Sequence, residues 1–217
     1  MKKFLSFLFP IAQKKLTSKI SGELEINFVD GKKVLDTKSS NYSYGSLQKI
    51  LHRGLEEINF DDTFQSILVL GLGGGSVVET IRKDFKSKAF IELVDIDETV
   101  IAIAKEEFGI EAYGNLKIIQ SDAADYLKKT NQKFDLIIVD IFIISIVPRQ
   151  FTENDFLNEL ITHLSPNGKI IYNTMCETMP ETEFNRIKST LSKDGCRIKV
   201  LEKVQQTNNL ILVTKIS

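Results

Sequence analysis

The sequence predicts an α/β protein with a doubly wound, mainly parallel seven-stranded sheet that ends in an antiparallel hairpin. Three observations lead to this prediction. From Ser66 onward, short strands alternate strictly with helical segments. The strands are continuous Val/Ile/Leu runs, which are typical of strands covered by helices on both faces. The last two strands are separated only by QQTNN, which is too short for a crossover helix, so they must pair antiparallel.

Length and composition indicate an ordinary globular protein. The 217 residues suffice for one large domain with a small appendage, and 42% of them are hydrophobic. Because the sequence has 28 basic and 29 acidic residues, its net charge gives no reason to expect nucleic-acid binding.

Cys176 and Cys196 lack metal-ligand spacing, so we expect no metal site, reduced thiols and a cytoplasmic location. No segment reaches the roughly 20 apolar residues of a membrane span, so no stable membrane insertion is expected.

We expect two parts, residues 1–60 as an N-terminal unit and residues 61–217 as the α/β domain. The apolar run Phe4 to Phe9 follows two lysines but lacks a small-x-small cleavage site. It predicts a docking helix or an oligomer contact, with association at a membrane surface as the alternative.

The rest of the N-terminal unit is predicted to contain a β-hairpin and a helix. Residues 23–29 alternate between apolar and polar, and Asp30-Gly31 forms a turn into KKVLDT. Residues 46–58 place their apolar side chains on one helical face, so a helix leads into the main domain.

The α/β domain is predicted element by element from its hydrophobic periods. The strands are 66–71, 89–95, 116–122, 134–140, 168–173, 196–204 and 210–216. The helices are 76–85, 98–108, 122–129, 153–164 and 181–193. In such sheets a ligand binds beyond the carboxyl ends of the strands, near the switch point after the first strand.

The segment VLGLGGGS is a glycine-rich turn between the first strand of this domain and its helix. Gly71, Gly73 and Gly74 allow close approach of the backbone to a ligand, and the helix start favours negative charge. As a dinucleotide fingerprint the motif is imperfect, because its third glycine is Ser76. A tight strand-to-helix turn without a ligand is the alternative.

Carboxylates end the next three strands at the same edge. Asp95 is placed to accept the hydroxyls of a ribose. Asp97 is expected to cap the following helix. Asp122 is placed to accept a hydrogen bond from an adenine amino group, and it could cap its own helix at the same time. Asp140 follows the fourth strand.

The order VLGLGGGS, ELVDID, QSDAADYL and FDLIIVD, with the closing hairpin, resembles the Rossmann-like fold of class I S-adenosylmethionine-dependent methyltransferases. Within that fold it resembles the spermidine-synthase-like branch, over roughly residues 20–215. The resemblance implies S-adenosylmethionine or its decarboxylated form as cofactor. The cofactor-binding residues that it implies are Gly71, Gly73, Gly74, Asp95, Ile96, Asp122, Ala123 and Asp140.

The resemblance is incomplete where spermidine synthases hold their polyamine. Those enzymes carry an Asp in the glycine motif, a second Asp after the fourth strand and a Y-H-E or Y-Q-E segment. This sequence keeps Asp140 and Tyr44, which we treat as the candidate catalytic residues. It has Gly74, Ile143 and Gly45 at the other positions. Since a dication would lose most of its counter-charges here, methyl transfer is predicted over aminopropyl transfer.

We therefore expect a methyltransferase acting on an unidentified small molecule. Positioning can supply much of the acceleration in methyl transfer, with Asp140 orienting or deprotonating the acceptor. A structural role for Asp140 is the alternative, and Tyr42 and Tyr44 are candidates for the pocket wall. The apolar loop 141–148 is either a pocket for an apolar acceptor or a core or homodimer contact. Aminopropyl transfer and a non-catalytic nucleoside-binding or oligomerising module remain the alternative functions.

Overall fold

The computed structural model describes Ser6 and residues 11–37, 41–193 and 195–216. The docking helix expected at Phe4 to Phe9 lies outside these residues apart from Ser6. The side chain of Tyr42, a candidate for the pocket wall, also lies outside the described part.

The described strands form two sheets. The first is antiparallel, with the order β1 (Ile11–Ser18), β2 (Gly22–Val29), β3 (Lys32–Thr37) and β4 (Asn41–Ser43). The strands of the second are β5 (Ser66–Leu70), β6 (Phe90–Asp95), β7 (Leu116–Gln120), β8 (Phe134–Val139), β9 (Leu164–Met175), β10 (Cys196–Val204) and β11 (Asn208–Lys215). Its order is β10-β11-β9-β8-β5-β6-β7, and β11 runs antiparallel to both of its neighbours. The predicted seven-stranded sheet with its antiparallel ending is confirmed.

Helices cover both faces of the large sheet. The described helices are α1 (Gly45–Glu57), α2 (Ser76–Lys83), α3 (Glu98–Glu106), α4 (Ala123–Lys129), α5 (Asn154–Thr162) and α6 (Glu181–Leu191). On β5, Ile67 and Val69 pack with buried residues of α1, α2 and α3, while Leu68 and Leu70 pack with those of α4, α5 and α6. The continuous apolar run of β5 therefore serves two cores at once, as a central strand of such a sheet requires.

The N-terminal unit contains a four-stranded sheet where the sequence predicted only the hairpin of β2 and β3. The prediction missed β1 because its alternation is interrupted: the pairing with β2 shifts between Ala12 and Lys14, and Lys14 and Lys15 are adjacent charges. A bulge of this kind breaks the period of two on which strand prediction depends.

The turn between β1 and β2 ties this small sheet to α3. Asp97 caps α3 by accepting from the backbone N–H of Thr99 at 2.9 Å, as predicted. Its other carboxylate oxygen accepts from the hydroxyls of Ser18 and Ser21, the latter at 2.6 Å. Burial opposes ionisation of Asp97, but these hydroxyl bonds hold its pKa below the ordinary value. The small sheet is thereby fixed beside the carboxyl end of β6.

One strand of the large sheet is longer than predicted. β9 begins at Leu164 rather than at 168, although Pro166 and Asn167-Gly168 indicated a loop. The strand accommodates them through a shift in its pairing with β8, and Asn167 adopts a left-handed φ of 61°. The turn that these residues indicate is therefore kept as an interruption of β9, between the pairs Phe134–Leu164 and Leu136–Lys169.

In the part of the chain that the structure describes, no helix is long and apolar enough to cross a membrane. No group of three or more His, Cys, Asp or Glu side chains in that part could hold a metal ion.

The fold predicts unequal costs for alanine at two glycines with positive φ. Gly71 has φ 94°, and an added Cβ would lie 2.2 Å from the Asp140 carbonyl oxygen. Gly109 has φ 62° and no atom within 4 Å of such a Cβ. We expect Gly109→Ala to cost about 1 kcal/mol of unfolding free energy and Gly71→Ala to cost at least about 3 kcal/mol. Urea unfolding followed by circular dichroism measures both, and equal small losses would contradict the close approach at Gly71.

Candidate functional site

A cavity of about 420 Å³ opens at the carboxyl ends of β5, β6, β7 and β8. This volume lies in the range of roughly 300–1,000 Å³ that small-molecule sites occupy. Seven of the predicted site residues line it: Gly71, Gly73, Asp95, Ile96, Asp122, Ala123 and Asp140. The structure thus brings together residues that are up to 69 positions apart in the chain, counted from Gly71 to Asp140.

Gly74 and Tyr44 are not among the described lining residues. Tyr44 is buried and stacks on Phe108, with ring centroids 4.7 Å apart and an interplanar angle of 17°. Burial raises the pKa of Tyr44, and Glu79 adds to the shift. This placement makes Tyr44 a packing residue rather than a wall of the cavity, and its predicted catalytic role has no support from the geometry.

The same contact explains why residue 74 is a glycine. A Cβ at Gly74 would lie 3.1 Å from both the Ser43 hydroxyl oxygen and the Tyr44 ring, and 3.2 Å from the Phe108 ring. Any side chain there would require these neighbours to shift by a few tenths of an ångström.

Asp95 joins the glycine loop to the end of β6. Its two carboxylate oxygens accept from the backbone N–H of Leu72 and of Asp97, each at 2.8 Å. Burial raises the pKa of Asp95 to about 6, although backbone N–H groups act in the opposite direction. Because a carboxylate has about four acceptor positions, Asp95 keeps capacity for a ligand hydroxyl on the cavity side.

Asp122 is both a helix cap and a lining residue. One carboxylate oxygen accepts from the backbone N–H of Ala124 at 2.8 Å, which is the predicted cap of α4. The other oxygen accepts from the side-chain amide of Gln150 at 2.8 Å. Gln150 also lines the cavity, and the sequence reasoning did not identify it. An isolated Gln after a loop gives no signal in a single sequence.

Asp140 lies at the cavity with one carboxylate oxygen held by Asn173. The side-chain amide of Asn173 donates to Oδ1 of Asp140 at 2.8 Å. Burial raises the pKa of Asp140 to about 6, and the Asn173 bond opposes this shift. The carboxylate is thus ionised at neutral pH and is more basic than an ordinary Asp.

The apolar loop 141–148 is divided between the cavity and the surface. Ile141, Phe142 and Ile143 line the cavity. Ile143 and Ile146 exchange backbone hydrogen bonds of 2.9 and 3.1 Å, closing a tight turn whose tip, Ile144, has φ 46°. Ile144 and Ile146 are each 55% exposed. The inner side of the loop is therefore a pocket wall and its outer side is an apolar surface.

Every charged residue among the described lining is acidic. These residues are Asp95, Asp97, Asp122, Asp140 and Glu177. No lysine, arginine or histidine of the described residues lines the cavity. The cavity therefore favours a ligand that carries positive charge.

The small sheet and α1 contribute part of the wall, which the sequence did not predict. Ile20 and Ser21 come from the turn between β1 and β2, and Leu47 and Ile50 from α1. The periodicity of α1 identified its apolar face but could not show that this face reaches beyond the core to the cavity.

Comparison with known proteins places this geometry in a family. The model of the spermine/spermidine synthase domain matches residues 48–204. An eEF1A lysine and N-terminal methyltransferase from Danio rerio is 31% identical over 133 residues, which are 57% of this chain and 19% of that protein. A polyamine aminopropyltransferase from Vibrio vulnificus (strain CMCP6) is 31% identical over 118 residues, which are 53% of this chain and 39% of that protein. The chain thus matches less than half the length of either relative.

The fold is also that of a solved relative. A spermidine synthase from Thermotoga maritima superposes with a TM-score of 0.67 at 16% identity, over 94% of this chain and 73% of that one. The family model covers more than two thirds of the residues, and the superposition shows the likeness in fold. On this combined basis, the chain belongs to the spermine/spermidine synthase family and has its Rossmann-like methyltransferase fold.

Proposed function

We propose that the chain is an S-adenosylmethionine-dependent methyltransferase that acts on a small molecule. The observation that carries this proposal is the convergence of a glycine loop and three strand-end aspartates, Asp95, Asp122 and Asp140, on one cavity. The names of the relatives, which include a methyltransferase and an aminopropyltransferase, support transfer chemistry from this type of cofactor.

The residues present fit the proposed cofactor. Asp95 would accept the ribose hydroxyls, and Asp122 with Ala123 would receive the adenine. Gly71 and Gly73 would lie against the amino-acid and sulfonium end, where the acidic lining matches the positive sulfonium. When bound, the cofactor supplies an activated methyl group on that sulfonium.

Asp140 is the residue that we assign to the acceptor. It orients the nucleophile of the acceptor and takes its proton, for which a carboxylate with a raised pKa is better suited than an ordinary one. Ile141, Phe142 and Ile143 form the adjoining wall, hold an apolar part of the acceptor and exclude water from it.

Methyl transfer is favoured over aminopropyl transfer by the loss of counter-charges. Gly74 stands where spermidine synthases carry a carboxylate and is packed closely against Tyr44 and Phe108, and Ile143 replaces a second carboxylate. Aminopropyl transfer remains the second candidate because all charged lining residues are acidic, which suits decarboxylated S-adenosylmethionine, whose net positive charge is greater because its carboxylate is missing. We further propose a cytoplasmic homodimer, in which Ile144 and Ile146 contribute to the contact.

Ligand binding tests the cofactor assignment. Isothermal titration calorimetry of the chain with S-adenosylhomocysteine is expected to show binding that Asp95→Ala weakens at least tenfold, because the ribose loses its acceptor. Asp125→Ala, an exposed Asp outside the cavity lining, is the matched control and should bind normally. Undiminished affinity in Asp95→Ala would refute the ribose assignment.

Preference for decarboxylated S-adenosylmethionine over the intact form would favour aminopropyl transfer, and binding of neither would favour a non-catalytic module.

Turnover tests the role of Asp140. With an acceptor found by screening small molecules for release of S-adenosylhomocysteine, Asp140→Asn is expected to lower kcat about 100-fold or more. Its affinity for S-adenosylhomocysteine should remain within about twofold, since the amide keeps the Asn173 bond. Unchanged kcat would remove Asp140 from the mechanism.

Stability measured against pH tests the titration of Asp140 without any acceptor. Its folded pKa of about 6 lies above the ordinary value of 3.8, so its stabilising contribution is complete below about pH 4 and is lost as pH rises through 6. Relative to the unmutated protein, Asp140→Asn should therefore gain up to about 3 kcal/mol of unfolding free energy between pH 4 and pH 7. The pKa of Asp95 is raised in the same direction, but Asp95 is present in both proteins, so its contribution to the unfolding free energy cancels when the two are compared. A pH-independent difference would contradict the raised pKa of Asp140.

A further inference from the structure

A chain of side-chain hydrogen bonds runs from the start of β11 to Asp140. The Thr207 hydroxyl donates to Oδ1 of Asn208 at 2.7 Å. The amide nitrogen of Asn208 donates to Oδ1 of Asn173 at 2.9 Å, and that of Asn173 donates to Oδ1 of Asp140 at 2.8 Å. We call Thr207, Asn208 and Asn173 the relay; it spans three adjacent strand ends, those of β8, β9 and β11.

The sheet register produces this alignment. β8 and β9 are parallel with Val139 opposite Tyr172, so Asp140 and Asn173 follow as the next pair along the two strands. β11 is antiparallel to β9, and its first residue, Asn208, lies opposite Met175. The backbone of each strand therefore holds its amide in reach of the next.

The ionised Asp140 fixes the direction of the bonds, because a carboxylate can only accept. Asn173 then donates its N–H to Asp140 and accepts the Asn208 N–H on its own oxygen, and the Thr207 hydroxyl, which can donate or accept, donates to the Asn208 oxygen. Asn173 is 1% exposed and Asn208 is 5% exposed, so an unpaired group would be costly. The arrangement thus presents an N–H to the ionised Asp140.

We infer that Asn173 and Asn208 are positioning residues for Asp140, a step that rests on the proposed function of Asp140 toward an acceptor. They hold Oδ1 of Asp140 so that Oδ2 is left for the acceptor in the cavity, and they stabilise the negative charge. Among the described residues, Asn173 makes the only side-chain hydrogen bond to Asp140. The carboxylate consequently depends on this relay for both its orientation and its charge.

The other ionisable groups around the cavity offer Asp140 no counter-charge. Asp95, Asp97 and Asp122 face the cavity from the ends of β6 and β7, and Glu177 from the segment after β9. No described cation lines the cavity, and burial disfavours the charged form of Asp140. Neutral amide donors are thus the groups that support ionisation of Asp140.

The experiment is a titration of the Asp140 carboxyl by NMR in the full chain with ¹³C-labelled aspartate, with Asp140→Asn used to assign the signal. Asn173→Leu keeps the side-chain size and removes the donor. We expect the pKa of Asp140 to rise by about one unit in this variant. Thr190→Val, which removes a buried hydroxyl of α6 that is bonded to Asn154 and takes no part in the relay, is the control and should leave the titration unchanged.

A second variant covers the case in which Asn173→Leu does not fold. Asn208→Ala leaves Asn173 in place but frees its amide to rotate, so a smaller rise in the same pKa is expected. An unchanged Asp140 titration in a folded relay variant, or an equal shift in Thr190→Val, would overturn the inference. None of these readouts needs cofactor or acceptor, so failure of the proposed function in the binding assay stays distinguishable from failure of the relay.

Discussion

Backbone hydrogen bonds at the carboxyl end of β5 fix the geometry on which the cavity depends. The N–H of Gly71 donates to the Val94 carbonyl at 2.9 Å, and the N–H of Asp140 donates to the Leu70 carbonyl at 2.8 Å. The Leu72 N–H then binds the Asp95 carboxylate. The central strand is thus tied to both neighbours at the point where the glycine loop leaves the sheet. Gly71 is needed there because the Asp140 carbonyl leaves no room for a Cβ.

The small N-terminal sheet completes the site and also limits its chemistry. Its β1–β2 turn is fixed to Asp97 and contributes Ile20 and Ser21 to the cavity wall. Its other end brings Tyr44 onto Phe108, which fills the space beside Gly74. The same unit that shapes the cavity therefore also crowds the position at which spermidine synthases carry a carboxylate.

Much of the fold and the strand-end residues could be predicted because they follow from short-range patterns. Continuous apolar runs identified the strands, and parallel order placed Asp95, Asp122 and Asp140 at one edge. The relay of Asn173 and Asn208 could not be predicted, because it depends on the register between β8, β9 and β11. The burial of Tyr44 could not be predicted for a similar reason: it depends on a contact with Phe108, which is 64 residues away along the chain.

The most direct test of the central claim is a crystal structure of the chain with S-adenosylhomocysteine. We expect the ribose hydroxyls within hydrogen-bond distance of Asp95, the adenine beside Asp122 and Ala123, and the sulfur facing the side of the cavity that Asp140 lines. A ligand bound outside this cavity, or in it with the nucleoside away from Asp95, would contradict the assignment of the strand ends as a cofactor site.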